Sequence, residues 1–434
     1  MKKLIAAVAL TITAATAVFA QDFKTSLFLD DYVYSYRLNP AAPGEGESTF
    51  IAFGIGNTSL SVLSNLGYSK IAFPVGGELL WGFDDAVPSD QFISGLDDDN
   101  SFQPMLNYNL FTFGRQDAES RFAIELNLRS SSYVGVSKTI ASEIKHGMTE
   151  GVHNQTGTYS FSNWPGVETN NYAEVAFNYS HNIGDRFVIG ATAKGLLGLA
   201  GGKFWINRVQ AGPDAADDLA ADVDADLLIA TPMVEFGSSK YMGMDIYDFQ
   251  NRKFGKLGLG GFGAAVDLGA SMEVIDGLTV GLSVMDLGFM KWNYNIHGKM
   301  DYKGKKIKKE DDVYELQIKD PESGTTMLDY NVHLTAKYYL PFYDKLNVGL
   351  VGTYQKHFQE VRLGAGIKPL DWVSLALSTA VNNFGFDVGA GVNLRLSKID
   401  FFLGVDSVYF QMSPQLLPIH RDLTNVTAGL AFAF

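Results

Sequence analysis

The sequence contains no cysteine, so neither a disulfide framework nor a thiolate metal site is available to it. Charged residues make up only 19% of the chain, below the ~25% usual for soluble domains. What charge there is leans acidic, with 34 Lys+Arg against 48 Asp+Glu for a net of −14. That balance argues against a nucleic-acid partner. Beyond the N-terminal leader no run of ~20 apolar residues occurs, which excludes a helical membrane span. There is no G-x-S-x-G elbow and no H-E-x-x-H pair. Nor does a Ser lie two residues after any of His146, His153, His181, His297, His333, His357 or His420. No enzyme activity and no cofactor are expected.

What is present is glycine and aromatic side chains: 45 Gly, 30 Phe and 20 Tyr. The N-terminus has the layout of a secretory signal. Lys2 and Lys3 form a basic start, Leu4 to Val18 an apolar stretch, and Val18-Phe19-Ala20 a cleavage site. Residues 1–20 are therefore set apart as a signal peptide.

The rest alternates with the period of two that places successive side chains on opposite faces of a strand. In 385–397, Phe386, Val388, Ala390, Val392, Leu394 and Leu396 share one face, opposite Asp387, Gly389, Gly391, Asn393 and Arg395. In 361–368, Val361, Leu363, Ala365 and Ile367 oppose Arg362, Gly364, Gly366 and Lys368. In 330–340, Val332, Leu334 and Ala336 oppose His333, Thr335 and Lys337. The last strand closes on Phe434. Such runs of ~9–12 residues match the length that crosses a bilayer at a tilt, against ~5–6 for ordinary strands. The polar faces mix Gly with charges of both signs, as a wet lumen tolerates. His333, Lys337, Arg362, Lys368, Asp387, Asn393 and Arg395 are accordingly read as lumen-facing. Val392→Arg should weaken the barrel by roughly 2–4 kcal/mol if Val392 faces lipid, with Asn393→Arg far milder.

Short turns recur at Gly184-Asp185-Arg186, Asp276-Gly277, Phe342-Tyr343-Asp344, Pro369-Leu370-Asp371 and Ser397-Lys398. Longer connections fall near 200–256, 291–328 and 411–422. The predicted architecture is all-β, a transmembrane antiparallel barrel of about 14 strands. Its short turns face the periplasm and its longer loops the exterior. The barrel spans 49–434, with one or two strands in 49–83, and residues 21–48 form a small N-terminal hatch. Helices are expected over 138–149 and 87–96, both in connections. The glycines at 364, 366, 389 and 391 either let a second backbone approach the wall or simply relieve crowding.

Tyr36-Arg37-Leu38-Asn39-Pro40-Ala41 resembles the Asn-Pro-Ala element of FadL-like and PorV-like barrels. Residues 281–292, Gly-Leu-Ser-Val-Met-Asp-Leu-Gly-Phe-Met-Lys-Trp, are similar to a stretch of an uncharacterised outer-membrane family of Bacteroidota. The resemblance implies a fourteen-stranded barrel with Asn39, Pro40 and Ala41 in its hatch. It also implies passive movement of small hydrophobic compounds, or an accessory role in a secretion or surface assembly. Phe434 resembles the terminal aromatic read by the barrel-assembly machinery. The expected setting is the outer membrane of a Gram-negative bacterium, with lipid and lipopolysaccharide as neighbours.

Gly258-Leu-Gly260-Gly-Phe-Gly263 matches a dinucleotide fingerprint, but an alternating strand follows where that site needs a helix. It reads as Gly-rich strand packing. The acidic runs Asp97-Asp98-Asp99-Asn100 and Asp214 to Asp226 lack EF-hand spacing and read as solvated loops. Lys303, Lys305, Lys306, Lys308 and Lys309 form a basic patch that either contacts anionic lipopolysaccharide or is simply an exposed hairpin tip.

Overall fold

A computed structural model of the chain describes residues 23–44, 46–146, 159–213, 219–232, 234–241, 244–255, 258–306, 317–356, 358–407 and 422–434. The expected signal peptide lies outside them. The strands in chain order begin with β1 (Ser48–Phe53), β2 (Thr58–Ser64), β3 (Ala72–Val75), β4 (Glu78–Trp81), β5 (Asp99–Gln116) and β6 (Ser120–Ser137). Next come β7 (Tyr159–Ile183), β8 (Phe187–Pro213), β9 (Leu219–Ala230), β10 (Val234–Tyr241), β11 (Met244–Phe254) and β12 (Gly261–Ile275). After these follow β13 (Leu278–Tyr294), β14 (Ile296–Lys306), β15 (Gln317–Lys319), β16 (Glu322–Met327), β17 (Asn331–Leu340) and β18 (Tyr343–Gln355). The last are β19 (Phe358–Leu370), β20 (Val373–Asn382), β21 (Gly385–Leu396), β22 (Ile399–Val405) and β23 (Asp422–Ala433).

The wall is a closed 14-strand antiparallel barrel. Its order is β1/β2, β5, β6, β7, β8, β12, β13, β17 to β23 in sequence, and back to β1/β2. Closure is made by β23, which pairs with both β1 and β2. At the very end Phe434 N donates to Thr49 O at 2.8 Å. The alternation sorts faces as a bilayer demands. On β7, Glu174, Asn178 and Ser180 are buried inside, while Val175, Phe177 and Tyr179 stand exposed outside. On β20, Ser374 and Ser378 point in, and Leu375, Leu377 and Val381 point out.

The short turns gather at one end. Gly184 and Gly277 take the positive φ their turns require, 66° and 81°. In the β5–β6 turn, Asp117 Oδ1 accepts from Glu119 N at 3.0 Å and Ser120 N at 2.8 Å. These bonds hold the carboxyl below its usual range.

Some elements fall within the expected ranges and others differ. Residues 48–64 make a single wall strand broken into β1 and β2, and β3–β4 is a separate hairpin off the barrel. The regions 200–256 and 291–328 are not plain loops. They extend β8 and add β9, β10, β11, β14, β15 and β16, linked by pairing of β9 with β8 and β14. Asp222, Asp224 and Asp226 are thus in a strand, and Lys303, Lys305 and Lys306 in its partner. Alternating charge on paired strands reads as loop when each strand is taken alone. Asp214, Asp217, Asp218, Lys308 and Lys309 lie outside the described residues, as does most of 411–422. The opposite end also carries short connections, after Gln355 and at Asn383–Phe384. The helices run Lys138–His146 and Ser89–Ser94. They help build a small outer cap whose core holds Phe73, Val87, Phe92, Leu96 and Ala141.

Candidate functional site

The lumen is occupied by the chain's own N-terminal segment. Residues 23–43 run inside the wall and carry two 3-10 turns, Lys24–Phe28 and Ser35–Arg37. Their apolar side chains form a lumenal core, in which Phe23, Phe28, Leu29, Tyr32, Tyr34 and Tyr36 pack with Phe50 and Phe402. An aromatic-rich segment is suited to this, because each ring buries a large apolar area with few rotors to freeze.

The wall receives the segment on glycine. A Cβ at Gly366 would run into the Phe28 carbonyl oxygen, and one at Gly364 into the Phe28 ring. At Gly389 it would stand 2.6 Å from Thr25 Oγ1, and at Gly391 2.9 Å from the Phe23 ring. On the opposite wall Gly190, Gly269 and Gly281 meet Asn39 and Pro40. The glycines therefore mark where a second backbone touches the strands.

Polar anchors fix the register. Asp406, at the end of β22, accepts from Lys24 N at 2.8 Å, Thr25 N at 2.9 Å and Thr25 Oγ1 at 2.5 Å. Asp30 accepts from Lys337 Nζ at 2.8 Å and Tyr339 OH at 2.7 Å. Asp31 is left-handed at φ 60°, a conformation costing a non-glycine residue about 1–2 kcal/mol. It is held there by Lys368 at 2.5 Å and Arg395 at 3.1 Å. Arg37 forks onto Glu125, with Nη2 2.9 Å from Oε2 and Nε 3.1 Å from Oε1. Tyr36 OH donates to the same carboxylate at 2.5 Å.

The Asn-Pro-Ala element is a folded unit. Asn39 Oδ1 accepts from Ala41 N at 2.9 Å while its Nδ2 donates to Ser271 Oγ at 3.0 Å. Pro40 O accepts from Arg121 Nη2 at 3.3 Å, and Ala41 is fully buried.

Of the residues read as lumen-facing, Lys337, Lys368, Asn393 and Arg395 converge on Asp30 and Asp31. Asn393 Nδ2 donates to the carbonyls of Asp30 and Asp31 at 3.4 and 3.3 Å. Arg362 is buried under the segment's start, bonded to Glu360, Ser378 and the Asp406 carbonyl. Asp387 accepts from Asn382 Nδ2. His333 lies apart, its Nδ1 3.1 Å from Thr353 Oγ1. Phe434 is exposed at the barrel rim with Lys398 Nζ 5.4 Å from its ring centroid.

Sequence reasoning missed a second charged constellation. Arg129 on β6 pairs bidentately with Asp286 on β13, both bonds at 2.8 Å, and reaches Glu174 on β7 at 3.0 Å. Lys194 on β8 bridges Asp286 at 2.6 Å and Asp267 at 2.7 Å. Asp286 sits at φ 60°, where the β12–β13 register shifts. Its backbone N–H donates to Asp267 at 2.7 Å. A signal was available, since Arg121, Glu125, Asn127 and Arg129 recur in the inward phase of β6.

Residues Gly258 to Gly263 carry no nucleotide site. A Cβ at Gly261 would press Trp292, which also lies over Gly198 and Gly201. The fully buried Trp292 donates from Nε1 to Asn170 at 3.0 Å.

Two further features complete the lumen. A cavity of about 250 Å³ lies between the segment and the wall, lined in part by Leu27, Leu29, Tyr32, Val33, Leu38 and Phe50. Beside it the first wall strand is interrupted. Residues 54–57 bulge between β1 and β2, with Gly54 at φ 74°, and stay tied to both neighbours by Gly54 N to Leu110 O and Leu430 N to Ile55 O, each 2.8 Å. Asn57 Nδ2 donates to Tyr32 OH at 3.2 Å, and Arg37 Nη1 donates to Asn57 O at 3.4 Å.

Residues 40–406 match a family described as "Family of unknown function (DUF5723)". The chain belongs to that family. No curated protein matches it. Among solved structures, the toluene transporter TodX of Pseudomonas putida aligns with 96% of this chain and 99% of its own, at 11% identity and TM-score 0.45. The toluene transporter TbuX of Ralstonia pickettii covers 96% and 98%, at 11% identity and TM-score 0.44. A FadL homologue of Pseudomonas aeruginosa covers 91% of each chain, at 11% identity and TM-score 0.41. Likenesses at this level carry no functional argument, which rests instead on the geometry of this DUF5723 member.

Proposed function

We propose that this barrel is a passive channel for small hydrophobic molecules in the outer membrane of a Gram-negative bacterium. In this reading residues 1–20 are removed on export and 21–48 serve as its hatch. Phe434 presents the terminal signal to the barrel-assembly machinery. The protein has no catalytic role and needs no cofactor. The observation that carries the reading is the lumenal cavity. Leu27, Leu29, Tyr32, Val33 and Leu38 give it an apolar side for a hydrophobic solute, and Tyr32 joins it through Asn57 to the irregular stretch at 54–57. Polar anchors such as Asp31–Lys368 and Arg37–Glu125 suit a seated segment that can be released, because they specify position more than they add stability.

The test is single-channel conductance of the refolded mature protein in planar bilayers, beside a version lacking 21–48. The reading predicts discrete openings on deletion, and faster entry of naphthalene into vesicles carrying the intact protein than into empty ones. Silence from both versions, with heat-modifiable barrel migration intact, would refute it. That result would favour a scaffold for a secretion or surface assembly, a role supported by the cap around Phe92 and the strands β9–β11 and β14–β16 beyond the wall.

A further inference from the structure

A second cavity, of about 420 Å³, lies at the outer mouth, where the run Asp97-Asp98-Asp99-Asn100 is not a plain loop but enters β5 with Asn100 buried. Its lining includes Asn65, Asp97, Asp99, Gln103, Tyr133 and Phe384. The polar groups are pre-ordered. Asn65 Nδ2 donates to Asp97 Oδ2 at 3.1 Å and to Asp99 O at 2.8 Å, while its Oδ1 accepts from Ser101 N at 2.9 Å. Gln103 Nε2 donates to Ser101 Oγ at 3.2 Å. Phe384 stacks on Phe358 with centroids 6.2 Å apart and planes at 21°. With Leu63 and Met105 these two rings form an apolar cluster. Below it the Lys24 ammonium sits 4.5 Å from the Phe358 ring. The mouth cavity is thus separated from the lumenal segment by a layer of aromatic packing.

The lining chemistry narrows the ligand. The volume falls within the ~300–1,000 Å³ of small-molecule sites, but the lining is too polar for a hydrocarbon. An anion finds only Lys70, already paired with Asp97 at 2.7 Å. Among the described residues no group of three or more His, Asp or Glu is placed to hold a metal ion. Carboxylates accept through two oxygens and amides both accept and donate, which matches adjacent hydroxyls. The Tyr133 and Phe384 rings offer apolar faces for the C–H side of a saturated ring. We propose that the outer mouth is a binding site for a small neutral saccharide, distinct from the lumenal cavity and its hydrophobic solute.

The experiment is isothermal titration of the full mature protein in detergent with maltose, lactose, cellobiose and, separately, calcium chloride. Variants are Tyr133→Ala and the shape-conserving Asp97→Asn, with folding checked by heat-modifiable migration. At least one disaccharide should bind saturably, with a millimolar or tighter Kd. Both variants should weaken it about tenfold or more. Leu377→Ala, on the outward face of β20, should leave it unchanged. Absence of saturable binding by all three sugars would overturn the proposal. So would binding that survives both folded variants, or binding of calcium alone.

Discussion

Phe28→Ala is the sharpest probe of how the segment is seated. The ring is fully buried against Gly364 and the Phe28 carbonyl rests on Gly366, so truncation leaves a hole the rigid wall cannot fill. Large-to-small changes at such sites cost about 3–5 kcal/mol. The barrel itself keeps its hydrogen-bonded strands, so the loss falls on the docking of the segment, a local opening. At 1.4 kcal/mol per decade, the undocked population should rise roughly 10²-fold to a few times 10³-fold. The chain has no cysteine, so Ser26→Cys supplies a single thiol reporter at a buried position of the segment. The assay is the labelling rate by a charged maleimide in refolded barrel, with and without Phe28→Ala. Leu377→Ala, facing outward, serves as control. If labelling does not accelerate in a barrel that still shows heat-modifiable migration, Phe28 does not anchor the segment and the cradle argument fails.

Leu377, 66% exposed on β20, should lose about 2–4 kcal/mol as Leu377→Arg near the bilayer midplane, read by urea unfolding in lipid vesicles. A loss near zero would place it outside the lipid face. Asp286→Ala strands Arg129 and Lys194 without their shared carboxylate and should cost about 3–5 kcal/mol in the same assay. A cost below ~1 kcal/mol would mean the constellation is wet and loosely coupled. Asn393→Arg should release the segment, raising Ser26→Cys labelling at least as much as Val392→Arg does, because Asn393 contacts the Asp30 and Asp31 carbonyls. Unchanged labelling would show that the pocket around it accommodates the longer cation.

That last expectation reverses the sequence reading, and the reason is instructive. Alternation placed Asn393 on the inner face of 385–396, the range β21 occupies. It could not say that the inner face meets protein rather than water. The two readings of Gly364, Gly366, Gly389 and Gly391 differed on this same point. Only the position of Phe28, Thr25 and Phe23, more than three hundred residues earlier in the chain, decides between them. The acidic run ending at Asp226 failed for a related reason. Strand β9 does alternate, with Leu219, Ala221, Val223, Ala225 and Leu227 opposite Asp222, Asp224 and Asp226, but the run of carboxylates drew the reading toward a loop until its pairing with β8 and β14 was in place.

The charged lumen was legible in part, since Lys337, Arg362, Lys368 and Arg395 stand out at inward positions. Their partners were not. Asp30, Asp31 and Asp406 sit in irregular backbone with no period to mark them, and Asp286 lies 157 residues from Arg129. A carboxylate in a broken strand reads as a loop residue until the opposite wall is in place. Yet these irregular points connect the chemistry to the architecture. Asp286 occupies a register shift and Asp31 a left-handed turn, and Asn57, bonded to Tyr32 and Arg37, sits in the broken first strand. Each departure from regular β geometry is tied down by a polar side chain, two of them directly across the interface between segment and wall. Displacing the segment would therefore remove restraints on the wall at 54–57 as well as clear the lumen.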